Sequence, residues 1–391
     1  MTSRLYLSAG KVSYLKLRLL VVFGTRPEAI KLAPLIKKIK EIDRFKLSVC
    51  STGQHKQMLE QVLKTFSITP DYSLDIMKRS QDLFSTTSDA LLGLKKVFIK
   101  VSPDVLLVQG DTTTAFISTI AAYYRKVKVA HVEAGLRTGD KYNPFPEEIN
   151  RKLISAITDI HFAPTELARK NLIREGIDKS KIFVSGNTVI DALNLITQKW
   201  KKGNTQDIEM MMNYLDSILN NGQRLLTVTC HRRESFGEDL ENICAALKHI
   251  AKQFPHVIIL FPVHLNPNVR NTVYRLLKGI KNIFLMEALD YESFLWVLNR
   301  SYLIVTDSGG VQEEAPSFKK PVMVIRKKTE RIEGIRQGIT KLIGTSWKEI
   351  SSHISEALND RRSYERLVPK TNPFGDGKAS DRIIKVLKRI K

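Results

Sequence analysis

The stretch LRLLVVFGTRPEAIK, residues 17 to 31, joins a short apolar run to a polar turn and the start of an amphipathic segment. Residues 17–23 have the length and composition of a buried strand, and Pro27 suits the N1 position of a helix that continues from Glu28 to Lys40. A strand, a polar turn and a helix in this order form the repeating unit of an α/β fold with a parallel sheet.

The same alternation recurs along the whole chain. The sequence predicts strands at 17–23, 46–51, 105–109, 127–132, 159–163 and 181–184, and then at 225–230, 257–263, 282–286, 302–306 and 321–325. A polar interval, 198–206, separates the two series. We therefore expect an α/β protein with two Rossmann-like, doubly wound domains that face a cleft. The expected domains are 1–186, to which a C-terminal helix within 370–391 crosses back, and 187–369.

The charge is unusual for an otherwise ordinary globular composition. The 391 residues are 43% hydrophobic and 26% charged, which excludes a disordered chain, and they carry a formal net charge of +22. Residues 1–50 contribute +8, residues 319–336 contribute +5 and residues 361–391 contribute +7. The excess raises the alternative of a polyanion-binding protein. No nucleic-acid module occurs, and aromatic residues are not interleaved with the basic ones, so we expect no nucleic-acid partner.

Cysteine usage and hydropathy predict a cytoplasmic protein without integral membrane association. Cys50, Cys230 and Cys244 show neither CxxC pairing nor zinc-ligand spacing, and we expect them to be core residues in a reducing compartment. No apolar run reaches the roughly 18 to 20 residues that a membrane span needs. Arg18 interrupts the apolar part of the N-terminal segment, which argues against a signal peptide.

Polar clusters follow six of the predicted strands. Ligands of open α/β sheets bind outside the carboxyl ends of the strands, so these clusters are the candidate site. They are Gly24 to Glu28, Gly110 to Thr114, His131 to Thr138, His231 to Ser235, Val263 to Pro267 and Asp307 to Glu314.

In the last cluster, Ser308, Gly309 and Gly310 stand where a helix should begin. Backbone N–H groups and the helix dipole there would suit a diphosphate, and Arg331 with the basic segment around it would add counter-charge. The alternative is an ordinary Ser-Gly-Gly turn before a capped helix. Neither a GxGxxG fingerprint nor a GxxxxGK[ST] loop is present, which argues against nicotinamide cofactors and nucleoside triphosphate hydrolysis.

Three acidic residues are candidates for acid and base chemistry. Asp111 is one, although its alternative role is the N-cap of the following helix. Glu133 stands in the apolar context Val-Glu-Ala-Gly, which favours a functional role. Glu147, together with Glu148, could be an acidic residue of a first helical turn.

Cationic candidates accompany these acids. Arg26 and Lys31 are placed to reach an anion at the end of the first strand, although Lys31 could also be a surface lysine. His231, in the basic trio with Arg232 and Arg233, could protonate or hydrogen-bond a leaving phosphate, the alternative being a structural histidine. The histidines show no HExxH spacing, so we expect no metal.

Taken together, the motifs resemble those of the non-hydrolysing UDP-N-acetylglucosamine 2-epimerases, in the order typical of that family. The motifs that carry the resemblance are FGTRPEAIK (23–31), GDTTT (110–114), HVEAGLR (131–137), PEE (146–148), GNTVIDA (186–192), HRRES (231–235), PVHLN (262–266) and TDSGGVQEE (306–314).

The resemblance implies a fold like that of the GT-B glycosyltransferases, with the active site between the domains and no cofactor. It implies interconversion of UDP-GlcNAc and UDP-ManNAc through a 2-acetamidoglucal, formed as UDP leaves, in supply of surface polysaccharide. The implied acid/base residues are Asp111, Glu133 and Glu147, with His231 supporting the leaving UDP. The implied UDP ligands are Arg26, Lys31, Ser308, Gly309, Gly310, Glu314 on the ribose and Arg331, with Phe294 near the uracil.

Two further expectations follow from the resemblance. One is a homodimer. The other is a second UDP-GlcNAc that acts as an activator at Gln54, Gln57, Gln81, Glu147, Arg232 and His264. The chain departs from the family pattern at Ser80, Gln109, Cys230 and Leu289, where Arg, His, Gly and Gln are often found. A hydrolysing epimerase and a GT-B glycosyltransferase are the alternatives.

Overall fold

The computed structural model describes residues 16–53, 56–76, 82–220 and 222–390. The chain divides into two compact units, each with its own parallel sheet. Unit 1 comprises residues 1–192 together with 377–391, and unit 2 comprises residues 193–376. The predicted α/β class with two Rossmann-like sheets is confirmed.

Within the described residues, the sheet of unit 1 has seven strands in the order β3-β2-β1-β4-β5-β6-β7, all parallel. Its strands are β1 (Leu17–Phe23), β2 (Phe45–Ser51), β3 (Tyr72–Ser73), β4 (Val105–Gln109), β5 (Lys128–Val132), β6 (Ile160–Ala163) and β7 (Ile182–Val184). The order reverses between β1 and β4, so the loops after these two strands diverge and leave room for a ligand.

The sheet of unit 2 repeats this topology, and the described part of the unit contributes six parallel strands in the order β10-β9-β8-β11-β12-β13. Its strands are β8 (Arg224–Thr229), β9 (Val257–Val263), β10 (Ile283–Glu287), β11 (Leu303–Thr306), β12 (Val322–Val324) and β13 (Thr340–Leu342). The corresponding reversal lies between β8 and β11.

Helices connect the strands in both units. They are α1 (Arg26–Lys40), α2 (Lys56–Thr65), α3 (Leu83–Val101), α4 (Thr113–Tyr124), α5 (Glu147–Ile157), α6 (Glu166–Arg174), α7 (Thr188–Lys201), α8 (Glu209–Ile218), α9 (Glu238–Gln253), α10 (Pro267–Leu277), α11 (Tyr291–Arg300), α12 (Gly309–Glu314), α13 (Ile332–Arg336), α14 (Trp347–Asn359), α15 (Arg361–Leu367) and α16 (Ala379–Leu387).

The central strands of unit 2 are apolar on both faces. Along β9, Ile259 and Phe261 pack into one buried cluster, whereas Ile258 and Leu260 pack into another on the opposite face. Successive strand residues point to opposite faces, so two separate apolar clusters mean that helices cover both sides of the sheet. The continuous apolar run of residues 257–263 is therefore the sequence signature of a doubly wound sheet.

The C-terminal helix α16 belongs to unit 1. Asp191 of α7 accepts hydrogen bonds from the amides of Ala379 and Ser380, at 3.1 and 2.8 Å, and so satisfies the first N–H groups of the helix. Ile383 and Leu387, one turn apart, are fully buried. The carboxylate cap and this apolar face attach the end of the chain to unit 1.

Several local predictions need correction. Pro27 is the second residue of α1, because Thr25 is the N-cap and the helix begins at Arg26. The interval 198–206, predicted as a break, contains the last turn of α7. Trp200, one turn after the buried Ile196, continues the helical pattern into this interval and is half-buried.

Two other predictions concern buried thiols and membrane spans. All three cysteines are buried, as expected, and burial raises the pKa of Cys50 and of Cys244 to about 12, so these thiols are protonated at neutral pH. Among the described residues, no helix is long and apolar enough to span a bilayer.

Candidate functional site

The turn after β1 is held tightly against its neighbours. A Cβ at Gly24 would lie 2.3 Å from the hydroxyl oxygens of both Thr52 and Thr114, so only glycine fits there. Glu28, one turn into α1, accepts hydrogen bonds from the amides of Gly24 and Thr25 and from the hydroxyl of Thr112. The GTRPE motif therefore joins the end of β1 to the start of α4.

Glu133 lies in the turn after β5 with its carboxylate buried. Its Oε2 accepts from Lys31 Nζ at 2.5 Å, from Gln109 Nε2 at 3.0 Å and from Asn187 Nδ2 at 3.3 Å. Its backbone is left-handed, with a φ of 65°, an uncommon conformation for a glutamate. Three donors from three different elements therefore fix the orientation of this carboxylate. The surface alternative for Lys31 is wrong, because the residue is only 6% exposed.

Asp111 follows β4 and is held by helix α5. Its Oδ2 accepts from Arg151 Nε at 2.8 Å and lies 2.7 Å from Arg151 Nη2, while its backbone carbonyl accepts from Asn150 at 2.9 Å. The N-cap alternative for Asp111 is wrong, since the hydroxyl of Thr112 caps α4 by accepting from the amide of Ala115. Arg151 thus holds the Asp111 carboxylate in a fixed place after β4.

Helix α5 carries the remaining acid/base candidate, Glu147, and its neighbour Glu148. Glu147 and Glu148 occupy its first turn, as predicted. Glu148 is fully buried and accepts from Arg151 Nη1 at 3.0 Å and from the amides of Thr138 and Gly139 at 3.1 Å. Glu147 is half-buried. Arg151 therefore ties Asp111 to the loop that precedes α5.

His131, on β5, supports the Gly110–Asp111 turn. Its Nε2 lies 2.6 Å from the carbonyl oxygen of Gly110 and must donate, because a carbonyl oxygen only accepts. Burial lowers the pKa of His131 to about 4, so the ring is neutral near pH 7.

In unit 2, His231 and Asp307 follow β8 and β11, on either side of the strand-order reversal. Nδ1 of His231 lies 3.2 Å from Oδ1 of Asp307, and the His231 ring stacks on the ring of His264, with 5.7 Å between the ring centroids. Burial acts to raise the pKa of Asp307, but the His231 ring and the amides of His231 and Arg232 outweigh it and hold that pKa well below its usual range.

The Ser308–Gly310 segment begins helix α12, as predicted, with Ser308 as N-cap. A Cβ at Gly309 would lie 2.9 Å from Cζ of Arg331. Arg331 lies 2.9 Å from Glu313 and 2.6 Å from Glu330, so buried carboxylates compensate its charge. The basic segment around Arg331 therefore offers less counter-charge than its sequence indicates.

The proposed ribose and uracil contacts lie on neighbouring elements of unit 2. Glu314 is buried at the end of α12, and its Oε1 accepts from the hydroxyl of Tyr291 at 2.9 Å. Phe294 is half-buried in the first turn of α11, which Tyr291 begins.

The residues expected at an activator site are described only in part. Arg232 Nη2 lies 3.4 Å from Oε1 of Glu330, and His264 contacts His231 as above. Gln54, Gln81 and the side chain of Gln57 lie outside the described residues. Within the described part of the chain, no group of three or more His, Cys, Asp or Glu side chains is arranged to hold a metal ion.

A family model described as UDP-N-acetylglucosamine 2-epimerase matches residues 37–388. The chain belongs to the UDP-N-acetylglucosamine 2-epimerase family. The UDP-N-acetylglucosamine 2-epimerase of Campylobacter jejuni is 47% identical over 371 residues, which cover 95% of this chain and 97% of that protein.

Solved structures of the epimerase family match along nearly the whole length. The Neisseria meningitidis UDP-GlcNAc 2-epimerase bound to UDP-GlcNAc has a TM-score of 0.92 at 41% identity, and the match covers 96% of this chain and 100% of that one. The Methanocaldococcus jannaschii UDP-GlcNAc 2-epimerase in complex with UDP-GlcNAc and UDP has a TM-score of 0.82 at 34% identity, covering 95% and 99%.

The sequence analysis missed the residues that hold the candidate groups in place. Gln109 and Asn187 donate to Glu133, Arg151 binds Asp111, Asp307 faces His231, and Tyr291 donates to Glu314. One signal was present for Arg151, which lies three residues after Glu148 on one helix face and forms an ion pair with it. The others meet their partners only through the fold.

Proposed function

We propose that this protein interconverts UDP-GlcNAc and UDP-ManNAc by inverting C2 of the sugar, without hydrolysing the substrate. In the proposed reaction a base removes the C2 proton while the C1–O bond breaks, which gives UDP and 2-acetamidoglucal. Protonation of the other face of C2 and re-addition of UDP at C1 complete the epimerisation. We further propose that the UDP-ManNAc product supplies ManNAc-type sugars for surface polysaccharide.

The observation that carries the proposal is the buried carboxylate of Glu133, fixed by three donors on one oxygen. Proton transfer at carbon needs an acid or base in a defined place, since misplacement slows the transfer steeply. Asp111, held by Arg151, supplies a second carboxylate of the same unit, and Glu147 a third. We propose these three as the acid/base residues.

For unit 2 we propose UDP binding. The first amides of α12, at Gly309 and Gly310, would bind the diphosphate, with charge from Arg331 and support of the leaving oxygen by His231. Glu314, which accepts a hydrogen bond from the Tyr291 hydroxyl, suits hydrogen bonding to ribose hydroxyls. We propose Phe294 near the uracil, and Arg26 and Lys31 of unit 1 as further cationic groups for the nucleotide.

A reaction with UDP-GlcNAc as the sole substrate separates the alternatives. We expect UDP-ManNAc to form and to return UDP-GlcNAc when supplied by itself, as followed by ¹H NMR. Release of free ManNAc with UDP would indicate a hydrolysing epimerase. Turnover only after an acceptor sugar is added would indicate a glycosyltransferase. Either of these results would overturn the proposal.

We also propose that the protein is a homodimer. Helices α3, α4 and α5 pack side by side in unit 1 and expose large apolar side chains. These are Phe84, Leu92 and Ile99 on α3, Tyr123 and Tyr124 at the end of α4, and Ile149 and Leu153 on α5. Exposed apolar side chains on adjacent helices favour association.

Sedimentation velocity tests the dimer. Leu92→Glu should shift the sedimentation coefficient to that of the 44.5 kDa monomer. Met210→Glu, at an 86% exposed apolar position of unit 2, is the matched control and should leave the dimer intact. A monomeric wild-type protein would refute the proposal.

A second UDP-GlcNAc as an activator is the last element of the proposal, with Arg232 and His264 as its described ligands. If it binds, small amounts of UDP-GlcNAc should accelerate the conversion of UDP-ManNAc, and Arg232→Ala should abolish that acceleration. The activator would be contradicted if the reaction rate depends hyperbolically on the concentration of UDP-ManNAc and if added UDP-GlcNAc does not change that dependence.

A further inference from the structure

His231 and Asp307 face each other at the reversal point of the second sheet. Strands β8 and β11 pair in parallel with Thr229 opposite Thr306, and the hydroxyls of these two threonines lie 2.6 Å apart. His231 comes two residues after the end of β8, and Asp307 comes directly after β11. The two strands therefore set the separation of the two side chains before either makes its own contacts.

One oxygen of Asp307 organises the loop that carries His231. Oδ2 accepts from the amide of His231 at 2.9 Å, from the amide of Arg232 at 2.8 Å and from the hydroxyl of Ser235 at 3.3 Å. The Asp307 side chain is fully buried, so these bonds replace its lost hydration. The backbone at His231 is thereby fixed.

The other oxygen of Asp307 faces the imidazole. Oδ1 is buried, and His231 Nδ1 lies 3.2 Å away. The far face of the ring rests on His264, at an interplanar angle of 29°. The His231 side chain is 39% exposed. Because an acceptor faces Nδ1, the proton of a neutral ring belongs on Nδ1, and Nε2 is the nitrogen left for a ligand.

We propose that Asp307 is a positioning residue that keeps a proton on Nδ1 of His231 and directs Nε2 toward the leaving oxygen of the nucleotide. This inference rests on the proposed function for the identity of that oxygen. When the C1–O bond breaks, its electron pair goes to the diphosphate oxygen of UDP. In its imidazolium form the ring carries a second proton, taken from solvent, on Nε2. That Nε2–H donates a hydrogen bond to the leaving oxygen, the proton stays on the ring, and no bond to His231 is formed. The negative charge of Asp307 stabilises the protonated ring.

A purely structural role for Asp307 would leave one feature unexplained. The Thr229–Thr306 pair already connects the strand ends, and Oδ2 alone satisfies the two loop amides. The second oxygen, Oδ1, is buried and directed at the imidazole. Its burial costs solvation free energy, and it strengthens neither the contact between the strand ends nor the bonds to the loop amides. Orientation and charge stabilisation of the ring account for it.

Four variants test the proposal through kcat and KM with UDP-GlcNAc. Asp307→Asn should lower kcat roughly 10- to 100-fold and change KM less. A positioned acid–base group contributes about 10²- to 10⁴-fold to the rate, and the loss should be a part of that factor. His231→Gln should retain more kcat than His231→Asn, because a glutamine amide reaches the place of Nε2 and an asparagine amide that of Nδ1. Ser301→Ala, the matched control, removes a buried hydroxyl bond to Thr227 of β8, 2.6 Å long and outside the candidate site, and should change kcat less than about threefold.

A double-variant cycle separates positioning from structure. If Asp307 acts through the ring, Asp307→Asn should lower kcat no further in a His231→Ala background. Multiplicative losses, or a kcat for Asp307→Asn within threefold of wild type, would overturn the proposal. If Asp307→Asn does not fold, the kcat values of the two His231 variants decide. A kcat of His231→Asn that equals or exceeds that of His231→Gln would overturn the proposal.

A readout without turnover keeps this inference distinct from the proposed function. In ¹⁵N-histidine-labelled protein, a slowly exchanging Nδ1–H proton of His231 is expected, and it should be absent from both His231→Gln and Asp307→Asn. If the wild type shows that proton but does not convert UDP-GlcNAc, the proposed function fails and the pairing stands. If the wild type converts UDP-GlcNAc but carries its proton on Nε2 alone, the inference fails and the function stands.

Discussion

Lys31 Nζ lies 2.5 Å from Oε2 of Glu133, and the side chains are 8% and 6% exposed. The two residues are 102 positions apart, one on α1 and the other after β5. A buried ion pair loses the hydration of both partners, so removing one partner leaves a buried charge without compensation. The pair therefore links the stability of unit 1 to its candidate acid/base group.

Lys31→Met should destabilise the protein by about 3 to 5 kcal/mol in denaturant unfolding, because it leaves Glu133 buried and uncompensated. The double variant Lys31→Met/Glu133→Gln should recover a large part of that loss. Lys38→Met is the matched control on the same helix. This variant breaks the ion pair of Lys38 with Asp381, in which the N–O distance is also 2.5 Å but the side chains are 37% and 58% exposed. It should lower the free energy of unfolding by about 1 kcal/mol or less. Equal losses for the two lysine variants would refute this account.

Glu133→Gln should nearly abolish epimerisation and leave UDP binding unchanged, because the amide keeps the shape of the carboxylate but cannot take a proton from carbon. Conversion by NMR and the UDP dissociation constant by calorimetry give the two readouts. Glu166→Gln, at an exposed position of α6, serves as the control and should retain activity. Unchanged turnover in Glu133→Gln would remove the residue from the chemistry.

Arg331→Ala should weaken UDP binding, and Gly309→Ala should do the same more mildly. A Cβ at Gly309 would lie 2.9 Å from Cζ of Arg331, so the guanidinium would have to move. Arg336→Ala is the control, since Arg336 is an exposed cation of the same basic segment. If Arg336→Ala lowers UDP affinity as much as Arg331→Ala, the effect is one of general charge.

Stability should depend on pH through two buried histidines. Burial lowers the pKa of His131 to about 4 and that of His161 to about 3, against about 6.5 in an unfolded chain. From pH 6.5 down to about 4 the unfolded state binds more protons than the folded state. The free energy of unfolding should therefore fall with decreasing pH, by up to about 1.4 kcal/mol per pH unit for each ring.

Urea unfolding at pH 7 and pH 5 measures this dependence. The free energy of unfolding should decrease less between pH 7 and pH 5 in His161→Gln than in the wild type. His249→Gln, at an exposed position, should behave like the wild type. The same pH dependence in wild type and His161→Gln would contradict the prediction.

The sequence predicts the sheets well because their strands are short apolar runs between helical patterns. Ranges 17–23, 105–109 and 257–263 match β1, β4 and β9 without adjustment. It does not predict β3 or β13, of two and three residues. Strands this short carry too few residues for a periodic pattern, and pairing with a neighbouring strand defines them.

For the candidate site, the sequence predicts which polar residues follow the strands but not which side chains contact one another. The polar clusters stand out because a parallel sheet gathers the carboxyl ends of its strands at one edge. Partners such as Asn187 for Glu133 and Asp307 for His231 are distant in sequence, at 54 and 76 positions. Only the strand order brings them together, and a single sequence does not show that order.

Epimerisation of UDP-GlcNAc in D₂O tests the central claim most directly. ¹H NMR and mass spectrometry follow the C2 position of the product and of the recovered substrate. The account predicts one deuterium at C2 of UDP-ManNAc, and its gradual appearance in UDP-GlcNAc as the reaction reverses. UDP-ManNAc that forms with its C2 proton fully retained would contradict proton exchange through the proposed carboxylates.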